Sequence, residues 1–127
     1  MPTGAAGINT ANRNMFMQMD GVSSEVGTGT ASSAAVTINK RFGIITTEAL
    51  TTAQNAVATV TLTNSEVAAA DLVLATLGFG TCTAGTPVLT RASVTASTVT
   101  FSISNLHASA VALDGTLKIY FMVVKAL

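Results

Sequence analysis

Charged side chains are scarce in this sequence. Only 9 % of its 127 residues are Asp, Glu, Lys or Arg, whereas a typical soluble domain carries about 25 %. Six basic and six acidic residues cancel, and binding to a phosphate backbone normally requires a basic excess. We therefore expect no direct nucleic-acid binding. A neutral surface this poor in charge favours packing against other protein chains.

Residues that carry catalysis, metal binding or ring stacking are also few. Cys82 is the only cysteine, so an intrachain disulfide and a thiolate zinc site are excluded, and we expect a buried or half-buried structural thiol. His107 is the only histidine. Ser109 and Asp114 lie near it in sequence, but a catalytic triad is defined by geometry, and we expect local hydrogen bonds in a loop. The absence of tryptophan disfavours a stacking platform for sugars or bases.

The remaining candidates for chemistry form no recognised motif. We interpret Glu48, Glu66 and Asp71 as strand-end and turn residues rather than the acid pair of a glycosidase. The glycines at 27–29 and 78–80 do not match a phosphate-binding loop. We therefore predict no enzyme activity, no cofactor and no metal centre. A weak calcium site built from loop carboxylate and carbonyl oxygens stays open as an alternative.

Membrane insertion and export also lack a sequence signal. The longest apolar stretch, residues 117–127, is interrupted by Lys118 and Lys125 and is far shorter than the ~20 residues of a transmembrane helix. The first residues do not combine a basic stretch with an apolar run, so we expect no signal peptide. The sequence predicts no membrane partner.

The first 33 residues differ from the rest in being rich in Gly, Ser, Thr, Asn and Ala. Such a composition is typical of a segment without its own core. Within it lies one apolar cluster, and we predict that its side chains contact the domain or a neighbouring chain; the cluster consists of Met15, Phe16, Met17 and Met19. We predict an extended N-terminal arm over residues 1–33 and a β-sandwich domain over residues 34–127.

From residue 34 onward, Thr, Val and Ile alternate in short runs separated by turn residues, which favours strands over helices. A helical turn at 64–71 is the one alternative, and Asp114-Gly115 is a strong short-turn signal. About seven strands predict an all-β fold, a jelly-roll-like sandwich. The predicted strands span residues 34–39, 42–48, 56–63, 71–77, 88–94, 98–104 and 116–125.

Two predicted strands are apolar on both faces, which a strand wetted on one side should not be. The run at 71–77 is nearly all apolar and predicts a strand covered on both sides. The last strand carries Tyr120, Met122 and Val124, beside Lys118, on the face opposite its core residues. Either this strand lies centrally under a cover, or that face contacts another subunit. We predict the second arrangement, with Tyr120, Met122 and Val124 as contacts.

The stretch from residue 43 to residue 124 resembles a family of small virion proteins of tailed bacteriophages. The resemblance covers about two-thirds of the chain and consists of strand and turn motifs without a chemically specific site. The arm lies outside it. The segments that carry it are 43–53 (GIITTEALTTA), 59–65 (TVTLTNS), 84–88 (AGTPV), 105–110 (NLHASA) and 113–119 (LDGTLKI).

The chain is thus similar to capsid decoration, or cement, proteins. The resemblance implies a virion structural protein on the outer surface of the phage head that clamps neighbouring major capsid protein subunits. Its partners would be the major capsid protein and further copies of itself, as a dimer or trimer. The arm would be a tether, with the cluster at Met15–Met19 as its anchor. The alternatives are another virion component, such as a tail or spike β-module, and a carbohydrate-binding β-sandwich.

Overall fold

The computed structural model describes residues 26–127, which fold entirely into strands, turns and loops. This part of the chain has no helix that is long and apolar enough to cross a bilayer. The eight strands are β1 (Val26–Thr30), β2 (Ala35–Thr37), β3 (Phe42–Thr46), β4 (Val57–Thr63), β5 (Leu72–Phe79), β6 (Pro87–Thr95), β7 (Thr98–Asn105) and β8 (Leu117–Val124).

The strands form two four-stranded sheets. Sheet I has the order β1-β3-β8-β5, and sheet II has the order β2-β4-β7-β6. Consecutive strands alternate between the sheets except at β6 and β7, which form a hairpin within sheet II. The two pairs that involve β1 and β2 are parallel, and the other pairs are antiparallel. The all-β prediction is therefore confirmed.

Alternating side chains of both sheets build one apolar core. Ile119 and Phe121 of β8 are almost fully buried, as are Val99 and Phe101 of β7. The rings of Phe101 and Phe121 have centroids 6.5 Å apart and are tilted by 38°. Each such side chain contributes about 1.5–3 kcal/mol when it is fully buried. The alternation of the predicted strands at 56–63, 98–104 and 116–125 is confirmed, because the apolar side chains of their predicted inner faces are buried, apart from the half-buried Ala58. These side chains are Ala58, Val60, Leu62, Val99, Phe101, Ile103, Leu117, Ile119, Phe121 and Val123.

A glycine in β3 makes room for one of these rings. Gly43 pairs with Phe121 across sheet I, and a Cβ atom on Gly43 would lie 2.4 Å from the Phe121 ring. A side chain here would collide with the ring, so the position requires glycine. The aromatic ring covers the backbone that glycine leaves bare.

The sheet begins earlier than the predicted end of the arm. Val26–Thr30 forms β1, which pairs in parallel with β3, and Ala31 is 4 % exposed with its N–H bonded to the Thr46 carbonyl. Residues 26–31 thus belong to sheet I. The sequence did not reveal this strand, because glycines stand where alternating apolar side chains would mark it. Gly27 and Gly29 lie too close to Ile38 and Val36 to carry side chains.

At two places the structure differs from a local signal in the sequence, the helical turn considered as an alternative at 64–71 and the short-turn signal at Asp114-Gly115. Residues 64–71 form two turns rather than a helical turn, because the buried Asn64 accepts a hydrogen bond from the N–H of Glu66 and donates one to the Lys40 carbonyl. Asp114-Gly115 is not a tight hairpin turn. Gly115 instead pairs with Leu50 in an isolated bridge, at a point where a Cβ atom would lie 2.7 Å from the backbone of Cys82.

The loops at one end of the molecule are held by a single buried amide. Asn105 is fully buried, and its Nδ2 donates to the carbonyls of Thr52 and Val111. Its Oδ1 accepts from the N–H groups of Thr86 and His107. The side chain of Asn105 thereby supplies hydrogen-bond partners to backbone groups of three separate loops.

The sheet position of Ala31 predicts a large effect on stability. We expect Ala31→Asp to lower the free energy of unfolding by about 3 kcal/mol or more, because it buries an unpaired charge. Ser32→Asp, at the next and exposed position, is the matched control and should change it by less than about 0.5 kcal/mol. Urea denaturation measures both values. Equal, small effects would mean that residues 26–31 do not pack in the sheet.

The amide of Asn105 predicts a second effect. Asn105→Ala leaves two carbonyls and two N–H groups without their partner, so we expect a loss of about 3 kcal/mol in the free energy of unfolding. The control is Asn39→Ala, which removes one exposed bond from the N–H of Ser65 and should cost about 1 kcal/mol or less. Thermal unfolding followed by circular dichroism compares them, and equal losses would contradict the role of Asn105.

Candidate interaction surface

The outer face of sheet I carries a contiguous group of apolar side chains. The register aligns Val26, Phe42, Met122 and Leu74 in one row across all four strands. Ile44 and Tyr120 are paired in the next row on one side, and Leu72 pairs with Val124 on the other. We call this group the apolar face; it consists of Val26, Phe42, Ile44, Leu72, Leu74, Tyr120, Met122 and Val124.

These side chains are open to solvent to an unusual degree. Leu72 is 56 % exposed and Leu74 47 %, while Tyr120 and Val124 are each about 40 % exposed. Single exposed apolar residues are ordinary, but a contiguous group of them is typical of a surface that contacts another molecule. The apolar face is therefore the candidate interaction surface of this chain.

The shape of the apolar face suits a protein segment better than a small molecule. It contains a shallow hollow of about 300 Å³, lined chiefly by Leu74, Thr76, Tyr120 and Met122. Sites for small ligands are usually enclosed and bury most of the ligand surface. This hollow lies on an open sheet and offers few polar groups, so flat apolar contacts are the chemistry that it supports.

The outer face of sheet II has the opposite character. The register aligns the hydroxyl side chains of Thr37, Thr63, Thr98 and Thr95 in one row. A second row contains Thr61, Thr100 and Ser93. We call this group the hydroxyl face. The two outer faces thus differ in character, because the first is mainly aliphatic and aromatic, whereas the second mainly carries hydroxyl groups, with Arg91 and the exposed Val57 beside them.

The structure places the predicted contact residues as follows. Tyr120, Met122 and Val124 lie together on the apolar face, as the alternation of β8 predicted. Within residues 26–127 the outer side chains of β5 are open, so the described part of the chain does not supply the second cover predicted for the strand at 71–77. The other predicted contacts lie outside the described residues; they are Met15, Phe16, Met17 and Met19.

Sequence reasoning missed the contributions of β1, β3 and β5 to this face. Alternation along the chain indicates which residues share a face of one strand, but it does not reveal which strands are neighbours. Phe42 and Ile44 carried a signal, since they alternate with Gly43 and Ile45. Only the pairing of β3 with β8 brings them beside Tyr120 and Met122.

The residues considered for a hydrolytic triad do not form a relay. His107 Nδ1 lies 3.1–3.2 Å from the backbone N, carbonyl O and Oγ of Ser109, which is the local bonding predicted for it. The Asp114 carboxylate accepts instead from the hydroxyl and N–H of Thr83 and the N–H of Ala84. These bonds, that from the Thr83 hydroxyl foremost, hold the pKa of Asp114 well below its usual range.

The other candidate side chains have structural partners. Cys82 is buried, as predicted, and its thiol lies 3.3 Å from the Ala84 carbonyl. Glu48 accepts from the N–H of Ala34, and Glu66 lies 4.0 Å from Arg41. Within residues 26–127, no group of three or more His, Cys, Asp or Glu residues could hold a metal ion.

One ion pair fastens the edge of the apolar face. Asp71 immediately precedes β5, and Lys125 immediately follows β8. The Asp71 carboxylate accepts from Lys125 Nζ at 2.5 Å and from the N–H groups of Ala126 and Ala68. These bonds, that from Lys125 foremost, lower the pKa of Asp71 from 3.8 to about 2. The carboxylate thereby holds the ends of two neighbouring strands together.

This pair predicts a dependence of stability on pH. Because the pKa of Asp71 is lower in the folded chain, its stabilisation is complete above about pH 4 and is lost as the pH falls towards about 2. We expect Asp71→Asn to be less stable than the natural chain at neutral pH, with the difference shrinking over that acid range. Glu66→Gln, whose half-exposed carboxylate lies 4.0 Å from Arg41, is the control. Denaturation at several pH values measures the trend, and a constant difference would contradict it.

Comparison with protein-family models, with curated proteins and with solved structures found no match to this chain.

Proposed function

We propose that this chain is a virion structural protein, a capsid decoration or cement protein that binds the outside of a phage head. The observation that carries the proposal is the apolar face, an open surface that joins all four strands of sheet I. It agrees with the low charge of the whole chain and with the sequence resemblance to decoration proteins. The proposed partner on this face is the major capsid protein, and further copies of the chain would associate beside it as a dimer or trimer.

A jelly-roll arrangement is part of the proposal. In a jelly roll, a long antiparallel hairpin is rolled so that successive strands fall in alternate sheets. The nested antiparallel pairs β3·β8 and β4·β7, one in each sheet, fit such a rolled hairpin. The alternation of β3, β4, β5 and β6 between the sheets supports it as well.

The proposed mechanism is additive binding rather than chemistry. Each copy would bury Leu72, Leu74 and their neighbours against the shell, and contacts with two adjacent capsid subunits would resist their separation. Apolar contacts are little weakened by salt, unlike pairs of surface charges. Methionine at position 122 adapts to irregular surfaces. Attachment at several points converts modest contacts into firm binding. The segment with Met15, Phe16, Met17 and Met19 would act as an additional anchor.

Binding of variants to phage heads that lack the protein tests this proposal. We expect Leu74→Glu to weaken binding about tenfold or more, equivalent to roughly 1.4 kcal/mol, because it brings a charge into an apolar contact. The matched control is Val57→Glu on the outer face of sheet II, where Val57 is 57 % exposed, and it should leave binding unchanged. Co-sedimentation with purified heads measures both affinities.

Three outcomes would overturn the proposal or part of it. Equal binding by the two variants would remove the apolar face as the contact. Absence of binding by the natural chain, with labelled protein located on tails or spikes of intact particles, would favour the other virion role. Absence from particles together with specific binding on a glycan array would favour the carbohydrate-binding alternative.

A further inference from the structure

The dimensions of the apolar face limit what can cover it. Its longest row spans three strand spacings, about 14 Å, and its rows extend about 13 Å along the strands. Its projected area is therefore about 200 Å². The accessible surface of its eight side chains is larger than this projection but is still smaller than the about 800 Å² of accessible surface that a stable protein interface buries on each partner. Two copies joined through this face alone would fall short of that area. A single extended peptide of about five residues, roughly 17 Å long, matches the face in size.

The chain itself supplies a peptide of that length and chemistry. Residues 15–19 read Met-Phe-Met-Gln-Met, and we call them the Met–Phe segment. Four of their five side chains are large and apolar, and methionine packs well on irregular aliphatic and aromatic surfaces. The six residues between this segment and β1 read Asp-Gly-Val-Ser-Ser-Glu. They are mostly polar, and Asp20-Gly21 is a turn-forming pair that allows the chain to reverse direction.

The point where the described chain begins places this segment within reach. Val26 is itself part of the apolar face, in the same row as Met122 and Leu74. Leu74 lies about 14 Å from Val26 across the sheet. The seven residue steps from Met19 to Val26 span up to about 23 Å when extended. The Met–Phe segment can therefore reach every residue of the apolar face of its own chain.

We propose that in the free protein the Met–Phe segment lies across the apolar face of its own chain. A short link between two binding elements gives an effective concentration on the order of 1 mM. A contact with a dissociation constant of only about 0.1 mM would then keep the face covered in roughly nine molecules of ten. Such a cover prevents free copies from associating through exposed Leu72 and Leu74.

The same cover would regulate the proposed binding function, and this part of the inference rests on that function. A capsid surface must displace the segment, which lowers the apparent affinity about tenfold at the coverage given above. Displacement then releases the segment to act as an anchor. Attachment is therefore strongest where the shell contacts both the apolar face and the released Met–Phe segment.

Oxidation of Met122 by peroxide tests the cover in the free protein, without capsids. The first full-length variant carries Met15→Leu, Met17→Leu and Met19→Leu and keeps Phe16, so its segment stays apolar and inert to peroxide. The second carries Ser at all four positions, 15, 16, 17 and 19. We expect Met122 to be oxidised about tenfold faster in the serine variant, as measured by mass spectrometry of its peptide. An added methionine-containing peptide serves as the reference for peroxide activity.

Folding and copy number are checked in the same samples. The buried thiol of Cys82 should stay unreactive towards a thiol reagent in both variants, which establishes that the domain remains folded. Protection of Met122 in the leucine variant should be independent of protein concentration, with the mass of a monomer by light scattering. Equal oxidation rates in the two variants would overturn the proposal. Protection that grows with concentration would overturn it in favour of a second copy. Neither result would depend on capsid binding.

Discussion

The central strand β8 is the element on which the rest of the structure depends. It is paired on both sides in sheet I, and its inner side chains fill the core against sheet II. The contact of Phe121 with Phe101 joins the two sheets, while Gly43 makes room for the same ring from the neighbouring strand. Because successive side chains of a strand point in opposite directions, fixing Phe121 inward fixes Tyr120 and Met122 outward.

The register of β8 in sheet I therefore determines both which side chains form the core and which form the apolar face. A shift of β8 by one residue would exchange its inner and outer side chains. Lys118 and Tyr120 would then point into the core, where a charge and a phenol would lack partners. The outer side of β8 is nearly as apolar as its inner side, so apolar burial alone would not fix the register of this strand. Lys118 fixes it, because its charge is tolerated only on the outer side. Asp71 and Lys125 fix the ends of β5 and β8 at the same alignment.

Periodicity in the sequence predicted the all-β fold, the inner residues of β4, β7 and β8, and the outward position of Tyr120, Met122 and Val124. These features depend only on alternation within a strand. The strand β1 was missed because its glycines remove the alternation that would reveal it. The detailed conformations at Asn64 and Asp114 were not predicted, because these side chains bond to backbone groups distant in sequence, the Lys40 carbonyl and the N–H of Thr83 respectively. The full apolar face requires the neighbours of β8, and sequence order does not give strand order.

The opposition of the two outer faces has a consequence for any assembly that contains this chain. Stacked sheets lie about 10 Å apart, so the hydroxyl face points away from whatever covers the apolar face. In the proposed complex, the surface that a bound copy turns outward would consist mainly of threonine and serine, with Arg91 and Val57 beside them. Copies carry no net charge, so they can crowd together without mutual repulsion. A particle coated in the proposed way would have a hydrophilic outer surface. Its interactions would depend little on ionic strength, because few charges lie on that surface.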